Sequence, residues 1–184
     1  MDKILLSILI LCGINEVSAQ VRYMDRAGRV SFFSKAPLEN IEAHTDQALC
    51  VLDAASGEVA ASMLMKTFRF EKALMQEHFN EKYVESDKYP KATFTGKITN
   101  MDNINLEQNG TYTANVQGEI TIHGVTKPLE TQVELVIGDN DIAATSTFPL
   151  RVKDFNITIP SLVVRNIAEV IDVTLSFNLE SSGE

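Results

Sequence analysis

Apolar and polar residues alternate one by one along several long stretches of this chain. The clearest alternation is in residues 92–98, 112–122, 129–137 and 171–179. In the second stretch, for example, Ala114, Val116 and Ile120 alternate with Asn115 and Gln117. A period of two predicts strands that bury one face and expose the other. Such strands belong to antiparallel sheets, because parallel strands are buried on both faces and read as continuous apolar runs.

Less regular strands are predicted between and before these stretches. They lie at residues 21–24, 30–34, 48–53, 59–68 and 142–150. The total of roughly eight to ten strands is enough to close a barrel or to form a sandwich. Ser56-Gly57, Asn109-Gly110 and residues 138–141 supply residues that tolerate positive φ, which tight hairpin turns require.

The hexapeptide HGVTKP, His123 to Pro128, separates two of the alternating stretches. Gly124 supplies backbone freedom, and Pro128 suits the first residue of the next strand, where no ladder donor is needed. We therefore interpret the hexapeptide as a corner of the fold and not as an active-site motif. Lys127 is the residue of this segment that we predict to face a ligand.

One segment breaks the period of two. Two sets of residues fall at helical spacing there: Phe70, Leu74 and His78, and Met75, Phe79 and Tyr83. Glutamates, which are good helix formers, are interspersed with them. The pattern predicts one short helix near residues 71–82, which would cap the mouth of a barrel.

The N-terminus predicts a secretory signal peptide. Lys3 precedes the apolar run Ile4 to Cys12, which is too short to span a bilayer, and small residues end at Ala19. We expect cleavage near Ala19 and Gln20, so that residues 1–19 form the leader and residues 20–184 one domain. A chain of roughly 100 to 200 residues usually makes a single core. A secreted or periplasmic location follows from this leader.

Charge and cysteine content argue against a nucleic-acid binder and against a disulfide-linked fold. The whole chain has 16 basic and 25 acidic residues; removing Asp2, Lys3 and Glu16 leaves 15 and 23, a net charge of −8. This balance argues against a nucleic-acid binder, which needs a basic surface. Cys50 is the only cysteine after the leader, so no internal disulfide is expected. The role of Cys50 is left open.

No catalytic, metal or cofactor motif stands out. His44, His78 and His123 are far apart, and no carboxylate cluster completes a metal-ligand spacing with them. The chain has neither a nucleophile elbow nor a glycine-rich nucleotide loop. We therefore predict no catalytic residue, no metal and no cofactor, and keep an enzyme, such as a lipid isomerase or hydrolase, only as a third hypothesis.

Large apolar residues at predicted inward positions offer a candidate binding interior. A barrel of about eight strands has an interior that is either filled by side chains or wide enough for one small ligand. Sequence patterning leaves these two alternatives open. The residues that we predict to line the interior are Phe68, Phe70, Leu74, Phe79, Phe94, Phe148, Val173, Leu175 and Phe177.

Three motifs resemble the YceI-like family of bacterial periplasmic proteins. They are HFNEKYVESDKYPKATFTGKI (residues 78–98), GEITIHGVTKPLETQVEL (residues 118–135) and RVKDFNITIP (residues 151–160). Their order, their spacing and their position behind a signal peptide are similar as well. The family commonly has Asp-Phe-Gly where this chain has Asp154, Phe155 and Asn156; because Asn tolerates left-handed backbone best after Gly, the same turn can form.

The resemblance implies a mainly all-β protein, an antiparallel lipocalin-like β-barrel of about eight strands with the short helix at its mouth. It also implies that the interior binds a polyisoprenoid-type lipid, such as an isoprenoid quinone or a prenyl phosphate, without catalysis. The protein would carry or store this lipid in the bacterial envelope. Lys127, Arg151 and Arg165 are the candidate contacts for a head group.

A second hypothesis is an interaction module of envelope stress or assembly with a filled core and no physiological ligand. The sequence does not decide the identity of the lipid, the direction of transport, the protein partners or whether the chain forms a homodimer. No later stretch is apolar over the eighteen or so residues that a membrane helix needs, so we do not expect the chain to span a membrane.

Overall fold

The structure of the protein, a computed structural model, describes residues 21–163 and 165–182. The predicted leader, residues 1–19, lies outside this part. The described residues form nine strands and one α-helix: β1 (Arg22–Lys35), β2 (Asn40–Asp53), β3 (Glu58–Leu64), β4 (Arg69–Phe70), α1 (Ala73–His78), β5 (Lys91–Ile98), β6 (Gly110–Ile122), β7 (Val125–Ile137), β8 (Asp141–Arg151) and β9 (Val170–Ser181). Short 3-10 turns lie at Met65–Thr67, Met101–Asn103, Val152–Phe155 and Ser161–Val163.

Eight of these strands close into an antiparallel barrel. The sheet order is β1-β9-β8-β7-β6-β5-β3-β2, and the pairing of β1 with β2 joins its two ends. The two-residue strand β4 pairs with the edge of β2 that also carries β3, further along the strand, where Phe70 and Arg69 stand opposite Ala43 and His44. The mainly all-β barrel with one short helix is therefore confirmed.

The two ends of the barrel differ. The insertion between β3 and β5, with α1, lies at the end that also carries the β1–β2 and β6–β7 turns and residues 152–163 and 165–169. We call this the helix end. At the opposite end, the loop between β5 and β6 packs Ile104 and Leu106 against the core. Ile104 is 8% exposed, so this loop covers the opposite end with apolar side chains.

The hexapeptide HGVTKP forms a tight corner, as predicted. His123 and Gly124 have φ of 51° and 72° and are the two residues between β6 and β7. Positive φ at both positions is what a two-residue hairpin turn with the twist of a β-sheet requires. Pro128 was expected at the start of the next strand, but β7 begins at Val125. Because β8 pairs with β7 only from Glu134 onward, Pro128 lacks a strand neighbour on one side and is tolerated there.

Several other boundaries differ from the sequence patterns. The first two predicted strands are one continuous strand, β1, with irregular register between Asp25 and Val30. The predicted strand 59–68 ends at Leu64, where a 3-10 turn takes over. The helix begins at Ala73, two residues later than predicted, and continues as a π-helical turn at Phe79–Tyr83. Asn109-Gly110 is not a tight hairpin turn, because residues 99–109 form a longer loop.

The barrel wall between β7 and β8 is completed by side chains and by a turn. These strands pair over only four residue pairs, next to their own connection. Beyond them the buried Ser146 hydroxyl donates to the Gln132 carbonyl at 2.7 Å. The turn Val152–Phe155 then packs near β7, with Val152 and Phe155 buried. The interior is therefore covered where the two strands diverge.

Asn156 ends that turn in the left-handed conformation, with φ of 57° and ψ of 22°. We predict that Asn156→Ala lowers the free energy of unfolding by about 1 to 2 kcal/mol, since Ala pays the steric cost of left-handed backbone. Asn156→Gly should keep or raise stability, because Gly adopts this conformation freely. Urea unfolding of both variants tests this. Equal destabilisation by Ala and Gly would contradict it.

Candidate functional site

A cavity of about 410 Å³ runs through the interior of the barrel. All eight barrel strands contribute to its wall, and α1 and the segment after β8 cover part of it. It extends from Phe70 and Ile167 at the helix end to Leu52, Ile98 and Leu179 towards the opposite end. The interior is therefore not filled by side chains. This contradicts the hypothesis of a filled core.

Eight of the nine side chains that the sequence placed inside do line this cavity. They are Phe68, Phe70, Phe79, Phe94, Phe148, Val173, Leu175 and Phe177. Five of them lie on long strands, and their inward direction follows from strand periodicity, since alternate residues of a strand point to opposite faces. Whether these side chains bind a ligand stays a prediction.

Leu74 is the exception and does not line the cavity. Its side chain is 61% exposed. The helix starts at Ala73, so Phe70 lies on β4 and the predicted stripe of Phe70, Leu74 and His78 is not continuous. The neighbouring Met75 lines the cavity together with Phe79, four residues later. This is the inward face of the helix.

Four phenylalanines cluster inside the helix end. The rings of Phe32, Phe68, Phe70 and Phe79 lie with centroids 5.0–5.8 Å apart, in tilted, edge and stacked arrangements. Aromatic pairs at these separations contribute about 0.5 to 1.5 kcal/mol each beyond area burial. The cluster joins β1 to the insertion and holds α1 against the barrel.

Phe94 lies against two glycines of neighbouring strands. Gly96 of β5 stands opposite Gly118 of β6. A Cβ atom on either glycine would come within 2.6 or 2.7 Å of the Phe94 Cζ atom. The absence of side chains on this pair is therefore what lets the ring lie against the barrel wall. The ring in turn forms part of the cavity lining.

The few polar groups of the lining are mostly at the helix end. Ser34, Glu39, His78 and Asn166 contribute there, and none of them was singled out by the sequence as a binding residue. Glu39 lies just before β2, where no periodic pattern marks it. Within the described residues the lining contains neither lysine nor arginine.

The three cations proposed for a head group are not part of the lining. Lys127, Arg151 and Arg165 are all exposed. Lys127 stands opposite the inward Ile120, but its charged group stays in solvent, since removing an unpaired charge from water is costly. The Arg151 guanidinium lies 4.0 Å from Glu169, so it is engaged on the surface. None of the three lines the cavity, and their assignment as head-group contacts stays a prediction.

His123 of the corner joins three segments at the helix end. Its Nδ1 lies 3.0 Å from the Phe155 carbonyl oxygen, and its Nε2 lies 2.8 Å from Oε2 of Glu85. The Tyr89 ring packs edge-on against the His123 ring, with the two ring centroids 4.5 Å apart. The hexapeptide therefore fastens the loops after α1 and β8 and does not reach the cavity.

The sequence matches the family described as YceI-like domain over residues 15–180. The chain belongs to the YceI-like family. No curated protein sequence matches this YceI-like chain. In the described part of the chain, no group of three His, Cys, Asp or Glu side chains could hold a metal ion. No helix among residues 21–163 and 165–182 is both long and apolar enough to cross a bilayer.

Solved structures share the fold at low sequence identity. A polyisoprenoid binding domain from Saccharophagus degradans, implicated in plant cell wall breakdown, is 14% identical with a TM-score of 0.75, covering 89% of this chain and 99% of that one. Burkholderia cenocepacia BcnA is 18% identical with a TM-score of 0.67, covering 82% and 95%. A Campylobacter jejuni YCEI protein is 17% identical with a TM-score of 0.57, covering 80% and 88%.

Cys50 lies in the cavity wall and serves as a probe of the interior. Burial, with a contribution from the negative charge of Asp25, raises the pKa of its thiol to about 12. An unfolded cysteine has a pKa of about 8.5. The stability linked to the protonated thiol is therefore complete below about pH 8.5 and is lost as the pH rises towards the folded value.

We predict that iodoacetamide near pH 8.5 alkylates Cys50 much more slowly in the folded protein than in guanidinium, because the reactive species is the thiolate. Intact-mass spectrometry measures both rates. Similar rates in the two states would show that the thiol is not held protonated inside the barrel.

Proposed function

We propose that this YceI-like protein binds an apolar, isoprenoid-type lipid inside its barrel and carries or stores it unchanged. The observation that carries the proposal is the 410 Å³ cavity, whose wall is built almost wholly from aliphatic and aromatic side chains. The polyisoprenoid binding domain from Saccharophagus degradans, which has the same fold, supports the choice of ligand class. The protein acts without catalysis, and the leader directs it to the periplasm or outside the cell.

The physical basis of binding is the transfer of a hydrocarbon chain from water into this cavity. Each buried CH₂ contributes about 0.8 kcal/mol, reduced by the entropy lost when the chain is ordered. Several isoprene units therefore bind well without any polar contact. Such binding selects for an elongated apolar shape rather than for a particular functional group.

The cavity volume limits how much of a chain is enclosed. A water molecule takes up about 30 Å³ of liquid volume, and a methylene group is of similar size. A volume of 410 Å³ thus has room for on the order of a dozen carbon-sized groups. The remainder of a longer lipid would extend past the helix end, where the polar lining lies.

We predict that affinity rises steeply from geraniol to farnesol, by more than about tenfold, because the added isoprene unit is still buried. From farnesol to geranylgeraniol the gain should be less than about threefold, since further units leave the cavity. Titration by isothermal calorimetry or by a displaced fluorescent probe measures these values. A steady gain with every added unit would contradict the enclosed volume.

Neighbouring residues of β3 provide a matched pair of variants. Ala61 lines the cavity, whereas Ala60 is exposed on the outer face. Ala61→Phe should displace about two methylene groups of the ligand, a loss of about 1.6 kcal/mol and thus more than about tenfold in affinity. Ala60→Phe adds the same ring outside and should leave farnesol affinity unchanged.

Circular dichroism melting checks that both variants are folded. Equal affinities of Ala61→Phe and Ala60→Phe would place the lipid outside the barrel. A filled interior with no binding of any prenol, and no lipid in solvent extracts of the purified protein, would overturn the proposed function.

A further inference from the structure

The polar side chains of the lining at the helix end favour one chemical class of head group over another. Its side chains are Ser34, Glu39, His78 and Asn166. Hydroxyl, amide and imidazole groups can donate to or accept from a neutral partner. Glu39 is the one carboxylate in the described lining, and no lysine or arginine of the described chain joins it there.

Glu39 lies where the cavity meets solvent. It precedes β2 directly, belongs to the cavity wall, and keeps 27% of its side chain exposed. Its Oε1 accepts a hydrogen bond from the Lys72 ammonium at 2.6 Å. That hydrogen bond and the charge of Lys72 hold the pKa of Glu39 below its usual value, so the carboxylate is ionised at neutral pH.

Lys72 is thereby already paired. It occupies the N-terminal cap position of α1, and its side chain is 61% exposed on the solvent side of the ion pair. An anionic head group that approached Lys72 from the cavity would meet the Glu39 carboxylate at the same place. Like charges repel, and the repulsion grows as water is excluded from between them.

We propose that Glu39 makes this site selective for lipids with an uncharged head group, such as a quinone or an alcohol, over prenyl phosphates. The inference rests on the proposed lipid-binding function and adds the chemical class of the head group. The oxygen atoms of an uncharged head group can form hydrogen bonds with the polar side chains beside Glu39. The Ser34 hydroxyl already accepts the Ala168 N–H at 2.8 Å and still has a hydrogen to donate.

Farnesol and farnesyl phosphate test the proposal, because they share one chain and differ in the head group. Wild-type protein should bind farnesol about tenfold or more tightly than farnesyl phosphate at low ionic strength. Glu39→Gln removes the charge and keeps the shape, so it should raise the affinity for farnesyl phosphate about tenfold relative to the affinity of the same variant for farnesol.

Two further variants separate charge at the site from charge elsewhere. Glu42→Gln removes a carboxylate from an exposed position of β2 three residues away and should change neither affinity. Adding Lys72→Met to Glu39→Gln should abolish the gain for farnesyl phosphate, because the freed ammonium is then missing. Melting curves identify any variant that does not fold. The comparison of farnesol with farnesyl phosphate in the wild-type protein does not depend on the variants.

Equal binding of farnesol and farnesyl phosphate by the wild-type protein would overturn the head-group assignment and leave lipid binding intact. An unchanged affinity of Glu39→Gln for farnesyl phosphate would also overturn it, by removing Glu39 from the selectivity. Binding of neither compound would overturn the proposed function itself, which is a distinct result.

Discussion

The pairing of β1 with β2 is the interaction on which the rest of this structure depends. It joins the ends of the sheet, so the inward faces of eight strands enclose one common space. Alternation along each strand then decides which side chains line that space, since every second residue faces inward. In an open sheet the same residues would form a flat apolar face. Closure turns this face into a cavity with a defined volume.

That volume has an energetic meaning. Apolar side chains around the cavity lack packing partners on the side that faces it, and dispersion contacts are lost there. An apolar ligand that supplies these contacts would stabilise the barrel while it binds. Binding and folding stability are therefore coupled through the same side chains.

Sequence periodicity predicts the faces of strands well and the placement of the insertion poorly. Phe94, Val173 and Phe177 follow from alternation alone, because each lies inside a long regular strand. Leu74 does not, because the start of α1 depends on the pairing of β4 with β2, a contact between residues far apart in sequence. Glu39 carried no signal, since its position beside the cavity depends on the fold and its charge partner is 33 residues away.

The ends of the barrel are held by different interactions, and this bears on how a ligand would be exchanged. Apolar side chains of the β5–β6 loop cover the opposite end. At the helix end, α1 has no side-chain cap and depends on the phenylalanine cluster and on the ion pair of Lys72 with Glu39. His123 fastens the adjoining loops separately, through Glu85 and Phe155. Segments held by a few side-chain contacts open at lower free energy than strands held by full ladders. Under the proposed function, a lipid would therefore exchange more readily at the helix end, by movement of α1, than through the strand ladders.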